Sequence, residues 1–392
     1  MPHVVREPGV LTGTRMAAFL ALVHAVNDVL TAILGALLPT LQARLAAGTT
    51  TLALLVAAFA ISSSITQPLL GALADRWGPR TVAGFGVATG AVSLSLVGVV
   101  DTVPLLLVLL ILGGLGSAAL HPVSTSIVGG PSAKNPGLAV GWFTAGGMAG
   151  FAVGPVLILY VISRYGTEAT PWLMLPGVLL AVGVLTLLPK FEPHNTGRLT
   201  RALDRRIFSG TIGWLTAAAS LVSLAFIGFT SAVPLWLVDE HRVAIDAPIL
   251  GWTLGVFSLG AGLGAVAGGA VAVRLGYGRT TVVSLLVAGP ALVGVLVVPP
   301  GTGTLVLAGI AGAFVYASQP LLIVAAQAAA PRNPAAAAGV VIGVGHGVAG
   351  LLYIGVGALQ GLIGLAPSMT ITAALLIPAA IIAAHGFRSS RF

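Results

Sequence analysis

Residues 71–81 read GALADRWGPRT, and 198 residues later the chain reads GAVAVRLGYGR over residues 269–279. Gly71, Ala72, Ala74, Arg76 and Gly78 return as Gly269, Ala270, Ala272, Arg274 and Gly276, with Val273 where Asp75 stands. The same offset carries Pro122, Asn135, Pro136, Gly141 and Gly147 onto Pro320, Asn333, Pro334, Gly339 and Gly345, so two separated places report one tandem repeat. Each copy of the segment is a short polar turn between apolar runs. Gly71 permits close helix approach, Asp75 can accept from helix N-terminal amides or an arginine, and Arg76 and Arg80 suit an anionic headgroup surface.

The runs around that turn set the class. The 392 residues are 57% hydrophobic and 7% charged, where a soluble domain carries about 25% charged residues, so the surface cannot face water all round. The chain reads as a multi-pass membrane protein. Its 53 glycines fit, because transmembrane helices pack through small residues. Cysteine is absent, which excludes disulfides and thiolate metal sites. No phosphate-binding loop occurs, so ATP is not the expected energy source, and no cofactor is expected. The first apolar run lacks a small-residue cleavage site and reads as an uncleaved span rather than a signal peptide.

Apolar runs of about 20 residues, the length a helix needs to cross about 30 Å of hydrocarbon, fall at 16–41, 51–73, 82–100, 104–127, 138–162 and 171–189. After a polar break they resume at 211–237, 248–272, 280–298, 303–328, 336–361 and 368–385. The pattern predicts an all-α membrane protein of twelve transmembrane helices: a six-helix bundle over 1–189, a cytoplasmic linker over 190–210, and a second bundle over 211–392. An even number of spans per half makes the repeats enter the membrane in the same orientation, related by a pseudo-twofold axis. Rocking of one half against the other then gives alternating access. Placing both termini in the cytoplasm leaves only Arg44, Arg164 and Arg242 of the 18 Lys and Arg outside, the asymmetry that the positive-inside rule requires. The formal charge of +8 is thus read as a membrane-side bias and not as a nucleic-acid footprint.

Asp28 is the one acid inside a membrane-length apolar run. A charge near the middle of such a helix costs about 2.5–3.5 kcal/mol on insertion scales, so it is rarely kept without a use. At about 1.5 Å rise per residue, Asp28 falls near the midplane. His24 lies one turn away on the same face, and His121 in the fourth span lies at a similar depth. A proton shared between Asp28 and His24 is the expected chemistry. Structural roles compete with this reading: histidines that donate to carbonyls, Asn27 as interhelical glue, and a His, His and Asp set as an N/O metal site, although no metal is expected. Glycines 146, 150 and 154, with Pro155, line one face of the fifth span; Gly260, Gly264 and Gly268 do so in the eighth, and Gly339, Gly343 and Gly347 in the eleventh. Such stripes suit close helix packing.

With twelve spans, an internal repeat and a long central loop, the segment Gly71 to Thr81 resembles the signature loop of the major facilitator superfamily. The resemblance implies that Gly71, Asp75, Arg76, Gly78 and Arg80 form a cytoplasmic latch favouring the outward-open state, and that spans 1, 4, 7 and 10 line a central cavity. The segment GFAVGP, ending at Pro155, resembles the antiporter motif of proton-driven drug exporters, with Leu157 and Ile158 where that pattern has further glycines. HAVNDVLTAILGALLPTL from His24 and LHPVSTSIVGGPSAKNPGLAVGWFTAGGMAGFAVGP from Leu120 look like the fosmidomycin-resistance branch. His24, Asn27, Asp28, His121, Pro122, Gly146, Gly147, Gly154 and Pro155 carry that likeness. Val123 and Ser126 stand where the branch has an acid and a base, and the fifth-span amides are replaced by Thr144 and Met148, which implies a different substrate.

The expectation is therefore a single-chain, monomeric transporter of the inner membrane that exports a small drug-like or polar metabolite in exchange for protons. Asp28 and His24 handle the proton, while Asn27, His121, Thr125, Trp142, Thr144, Gln319, His346 and Tyr353 contact substrate. Gln319 takes the place of His121 in the second half and Phe226 that of Asp28, so proton coupling is expected to be one-sided. Gln327, Gln360, Trp236 and Trp252 extend the polar and aromatic set there. A nutrient importer on the same scaffold is the alternative. An intramembrane enzyme would have only Ser117 and His121 as nucleophile and base, and the chain is not expected to be one.

Overall fold

The computed structural model describes residues 4–5, 11, 13–128, 136–188, 190–191, 210–330 and 334–389. Of residues 4–5, 75, 125–126, 128, 136–142, 190–191, 334–335 and 389 it describes the backbone alone. Twelve helices long and apolar enough to cross a membrane follow one another: α1 (Gly13–Leu45), α2 (Thr49–Ala74), α3 (Pro79–Val99), α4 (Val103–Ser124), α5 (Phe143–Tyr165) and α6 (Thr167–Leu187). Then come α7 (Gly210–Asp239), α8 (Pro248–Leu275), α9 (Tyr277–Val297), α10 (Thr302–Ala329), α11 (Ala336–Ile363) and α12 (Leu365–Arg388). Each lies within a few residues of its expected run. Most of the 190–210 segment lies outside the described residues.

The repeat is written into the backbone more fully than the side chains revealed. Gly78 ends α2 at φ 94° and Gly276 ends α8 at φ 85°, and their amides donate to Ala74 and Ala272. Gly166 and Gly364, separated by the same 198 residues, turn the chain into α6 and α12 at φ 77° and 88° and donate to Ile162 and Gln360. A side chain at these angles would crowd the following carbonyl, so glycine is needed. One feature departs from the all-α expectation. Val4–Val5 and Lys190–Phe191 form a short antiparallel pair, with Val4 opposite Phe191. Strands this short have no alternation that a sequence reading could register.

In lipid the helices gain nothing by hiding apolar surface from one another, so close packing must hold them. In the first half, α1 packs on α5 and α4 packs on α2 and α3; in the second, α8 and α9 pack on α10 and α7 on α11 and α12. A Cβ at Gly146, Gly150 or Gly154 would run into the carbonyl of Ala21, Ala25 or Val29 on α1, one residue per turn. Gly260, Gly264 and Gly268 of α8 meet Gly309, Ala313 and Ala317 of α10 in the same way.

The halves meet along α2 with α11, α5 with α8, and α1 with α7. Gly343 lies over the Ser64 carbonyl and Gly357 over Ala53; Gly251 lies over Pro155 and Gly262 over Met148. At the end carrying Gly166 and Gly364, Gln42 Nε2 donates to Asp239 Oδ2 at 3.1 Å and the Thr49 hydroxyl donates to the Gly357 carbonyl at 2.8 Å. At the other end, which carries the turns at Gly78 and Gly276, a Cβ added to Gly269, Gly276 or Gly339 meets nothing within 4 Å. Contacts between the halves thus run from the Gly166 end inward to Ser64 and Ile65 of α2 against Gly343 and Gly347 of α11.

Candidate functional site

On α1 the helical period places His24, Asn27, Asp28 and Thr31 on one buried face. His24 Nε2 lies 3.2 Å from Asp28 Oδ2, with both side chains less than a tenth exposed. Asn27 Nδ2 donates to Asp28 Oδ1 at 2.8 Å and to Ser117 Oγ of α4 at 3.0 Å, so an amide fixes the carboxylate and ties α1 to α4. The Thr31 hydroxyl donates to the Asp28 carbonyl at 3.1 Å. Each carboxyl oxygen of the acid thus has a polar neighbour, as a buried polar group requires.

His121 joins the same group from α4. Its Nε2 stands 3.2 Å from His24 Nε2, and the two rings meet edge to face with centroids 4.8 Å apart. The other nitrogen of each ring is committed: His24 Nδ1 lies 2.7 Å from the Phe143 carbonyl and His121 Nδ1 lies 3.0 Å from the Ser117 carbonyl. A carbonyl only accepts, which assigns the hydrogen to Nδ1 in both rings and turns both Nε2 positions toward each other. The Phe143 ring stacks on His24 with centroids 4.1 Å apart. Gly147 makes this approach possible, since a Cβ there would come within 2.5–2.7 Å of His24 Cε1, His24 Nε2 and Asp28 Oδ2.

His24, Asp28 and His121 also have the composition of a metal site, with ligand atoms spread over up to 4.8 Å. A tetrahedral centre with bonds near 2.0–2.1 Å sets its ligands about 3.3 Å apart. The nitrogen pair fits that spacing and the full group is wider, so a cation would require Asp28 to turn. A proton fits the positions as they stand.

Opposite the acid the second half is aromatic. Phe226 stands 5.1 Å from Tyr316 and 5.4 Å from Phe257, ring to ring, and Phe151 of α5 reaches to 6.4 Å from Phe226 across the interface. Tyr316 is within electrostatic range of Asp28. Gln319 Nε2 donates to Ser223 Oγ at 3.2 Å, a neutral bond between α10 and α7 where the first half has its histidine pair between α4 and α1. Its Oε1 is buried with no partner among the described residues.

The remaining expected residues are dispersed. Thr144 is exposed, and His346 is half-buried on α11 just after a π-helical turn over Val340–Val344. Tyr353 is 2% exposed, with Ser231 and Gln360 near its hydroxyl. Trp236 is buried at the sealed end against His241, and Trp252 is half exposed. The side chains of Thr125 and Trp142 lie outside the described residues. In the expected latch, Gly71 touches Pro122, Arg76 is exposed and Arg80 donates to the Leu188 carbonyl at 3.2 Å; the Asp75 side chain is outside the description. A cavity of about 20 Å³ between α7, α9, α11 and α12, lined by Gln360, Phe229 and Met369, has room for a water molecule and not for a substrate. Sequence reasoning missed Phe143 and Tyr316, and considered Ser117 only as a nucleophile. The Ser117 hydroxyl accepts from Asn27, and it is the Ser117 carbonyl that meets His121 Nδ1.

Two related six-helix halves, packed together at one end around a buried acid, have the architecture of a multi-pass membrane transporter. The chain belongs to the Major Facilitator Superfamily, whose sequence profile matches residues 20–354. It is 25% identical over 383 residues to the uncharacterised MFS-type transporter YfnC of Bacillus subtilis, covering 93% of this chain and 91% of that one. It is 29% identical over 175 residues to the fosmidomycin resistance protein of Escherichia coli, covering 44% and 42% of the two chains. Among solved structures it resembles the nucleoside transporter NupG, with TM-score 0.78 at 14% identity over 95% of this chain and all of that one. It also resembles a bacterial homologue of the human lysosomal transporter Spinster in an inward-facing, unoccupied conformation, with TM-score 0.72 at 17% identity over 96% and 97% of the chains.

Proposed function

We propose that this transporter is a monomeric, proton-coupled exporter of the inner membrane that exchanges small drug-like compounds for protons. One observation carries the reading. Asp28, the one mid-depth carboxylate among the described residues, is paired with a protonatable ring, His24, on a helix that packs on the second half. The likeness to a fosmidomycin resistance protein over part of the chain supports export.

Both termini are assigned to the cytoplasm on the arginine and lysine asymmetry, which makes the Gly78 end cytoplasmic and the described conformation closed to the outside. A compound entering from the cytoplasm competes with the proton for the Asp28 and His24 group, and the released proton passes to the cytoplasm. The halves then rock, a proton binds from outside, and the compound leaves. Thr144, Gln319 and His346 are the polar contacts we assign to substrate. The aromatic wall of Phe226, Tyr316 and Phe257 favours compounds with a flat apolar face, and the absence of an arginine or lysine beside Asp28 among the described residues favours neutral or cationic ones. Arg76, Arg80 and Asp75 are assigned to the cytoplasmic latch.

Reconstituted into liposomes, the wild type should accumulate ethidium against its gradient when a pH gradient is imposed, and Asp28→Asn should lose that response. Full gradient-driven transport by Asp28→Asn would overturn the proposal.

A further inference from the structure

We propose that the coupling proton is held between two histidine rings, on the Nε2 to Nε2 line of His24 and His121, with Asp28 as its counter-ion. This rests on the proton-coupled reading above, and it moves His121 from substrate contact to proton handling.

The hydrogen-bond partners of the two rings support it. Both Nδ1 atoms donate to backbone carbonyls, of Phe143 and of Ser117, so neither ring can turn its other nitrogen inward without losing a bond. In the neutral pair each Nε2 then carries a lone pair, and the two nitrogens lie 3.2 Å apart. That arrangement is repulsive when empty. One proton converts it into an N–H···N bond at the long end of the usual range. Asp28 Oδ2, 3.2 Å from the same His24 nitrogen, balances the charge, and Asn27 holds the other carboxylate oxygen away from that proton.

The titratable groups facing His24 from every element packed on it are few. Asp28 lies on its own helix, His121 on α4 and Tyr316 within electrostatic range on α10. From α5 come a carbonyl, the Phe143 ring and Gly147; α3 and α6 carry charge only near their ends, at Arg80, Arg76 in the preceding turn, and Glu168.

The proton also has a mechanical reading. Its loss leaves opposed lone pairs, and one ring must turn away. The His24 ring is bonded to Phe143 and stacked on it, with no gap over Gly147, so its movement is felt by α5. The residues that follow on α5, Met148, Ala152 and Pro155, bear on Gly262, Gly255 and Gly251 of α8. The charge on the histidine pair therefore reaches the interface between the halves. At the corresponding place the second half has the neutral Gln319 to Ser223 bond, neither side chain of which titrates.

The full chain, labelled with ¹⁵N-histidine and held in phospholipid nanodiscs, tests this without a substrate. Nitrogen magnetic resonance should show scalar coupling between the two Nε2 atoms at acidic pH, disappearing as the pH is raised. The coupling should be unchanged by EDTA and absent in His121→Gln. In liposomes His121→Gln should lose pH-gradient-driven ethidium accumulation by about tenfold or more, and its pH profile should depart from that of the wild type. Absence of the coupling at every pH overturns the inference, as does its removal by EDTA, which would assign the nitrogens to a cation. A wild-type pH profile in His121→Gln also overturns it. If the coupling is present but Asp28→Asn still transports fully, the shared proton stands and the proton-coupled reading falls.

Discussion

Gly147→Ala isolates the proton group from the rest of the fold. The added Cβ would lie 2.5 Å from His24 Cε1, 2.6 Å from His24 Nε2 and 2.7 Å from Asp28 Oδ2, where ordinary contact needs about 3.5 Å. The ring must retreat by roughly 1 Å, and overpacking of this kind costs about 1–3 kcal/mol. The retreat stretches the 2.7 Å bond to the Phe143 carbonyl and the 3.2 Å contacts to Asp28 and His121, taking the latter beyond hydrogen-bonding range at about 4 Å. At about 1.4 kcal/mol per factor of ten, gradient-driven transport should fall about 10- to 100-fold. The assay is initial rate against imposed pH gradient in liposomes, at equal amounts of folded protein. Gly355→Ala serves as the control, because its Cβ meets nothing within 4 Å. A wild-type rate and pH profile in Gly147→Ala would refute the assignment of this glycine as the space-maker for the pair.

Asp239→Ala removes the acceptor of Gln42 at the sealed end. It should weaken that seal by about 0.5–1.5 kcal/mol, raising labelling of a Thr230→Cys reporter about 2- to 10-fold, with no background because the chain has no cysteine. Ser117→Ala takes one acceptor from Asn27; the expected loss is about 1 kcal/mol, visible as a lower Tm. Gly276→Ala forces a side chain into φ 85° and should cost about 1–2 kcal/mol, whereas Gly355→Ala should be neutral or stabilising in the same melting experiment.

Much of the architecture was legible because a bilayer imposes a simple code. Span length, arginine placement and the 198-residue offset follow from composition and position alone, and the helices begin and end close to the expected runs. Gly166 and Gly364 were equally visible in the sequence, but their significance is a backbone angle, and a lone glycine between apolar runs does not announce one. Asp28 and His24 could be placed together because four residues on a helix bring side chains onto one face. Phe143 could not be found, since it serves through its carbonyl, which every residue possesses.

By itself the sequence determined the class, the twelve spans, the repeat and the isolated acid with its histidine one turn away. Tertiary structure alone decided that His121 meets His24 nitrogen to nitrogen, that Gly147 clears the space, that an aromatic wall stands opposite, and that the halves seal at the Gly166 end. The physical reason lies in the membrane. Helices that are apolar all round carry no amphipathic stripe to say which neighbour each will face. That choice is made by the fit of glycine faces to carbonyl ridges, a property of pairs of helices rather than of any one of them.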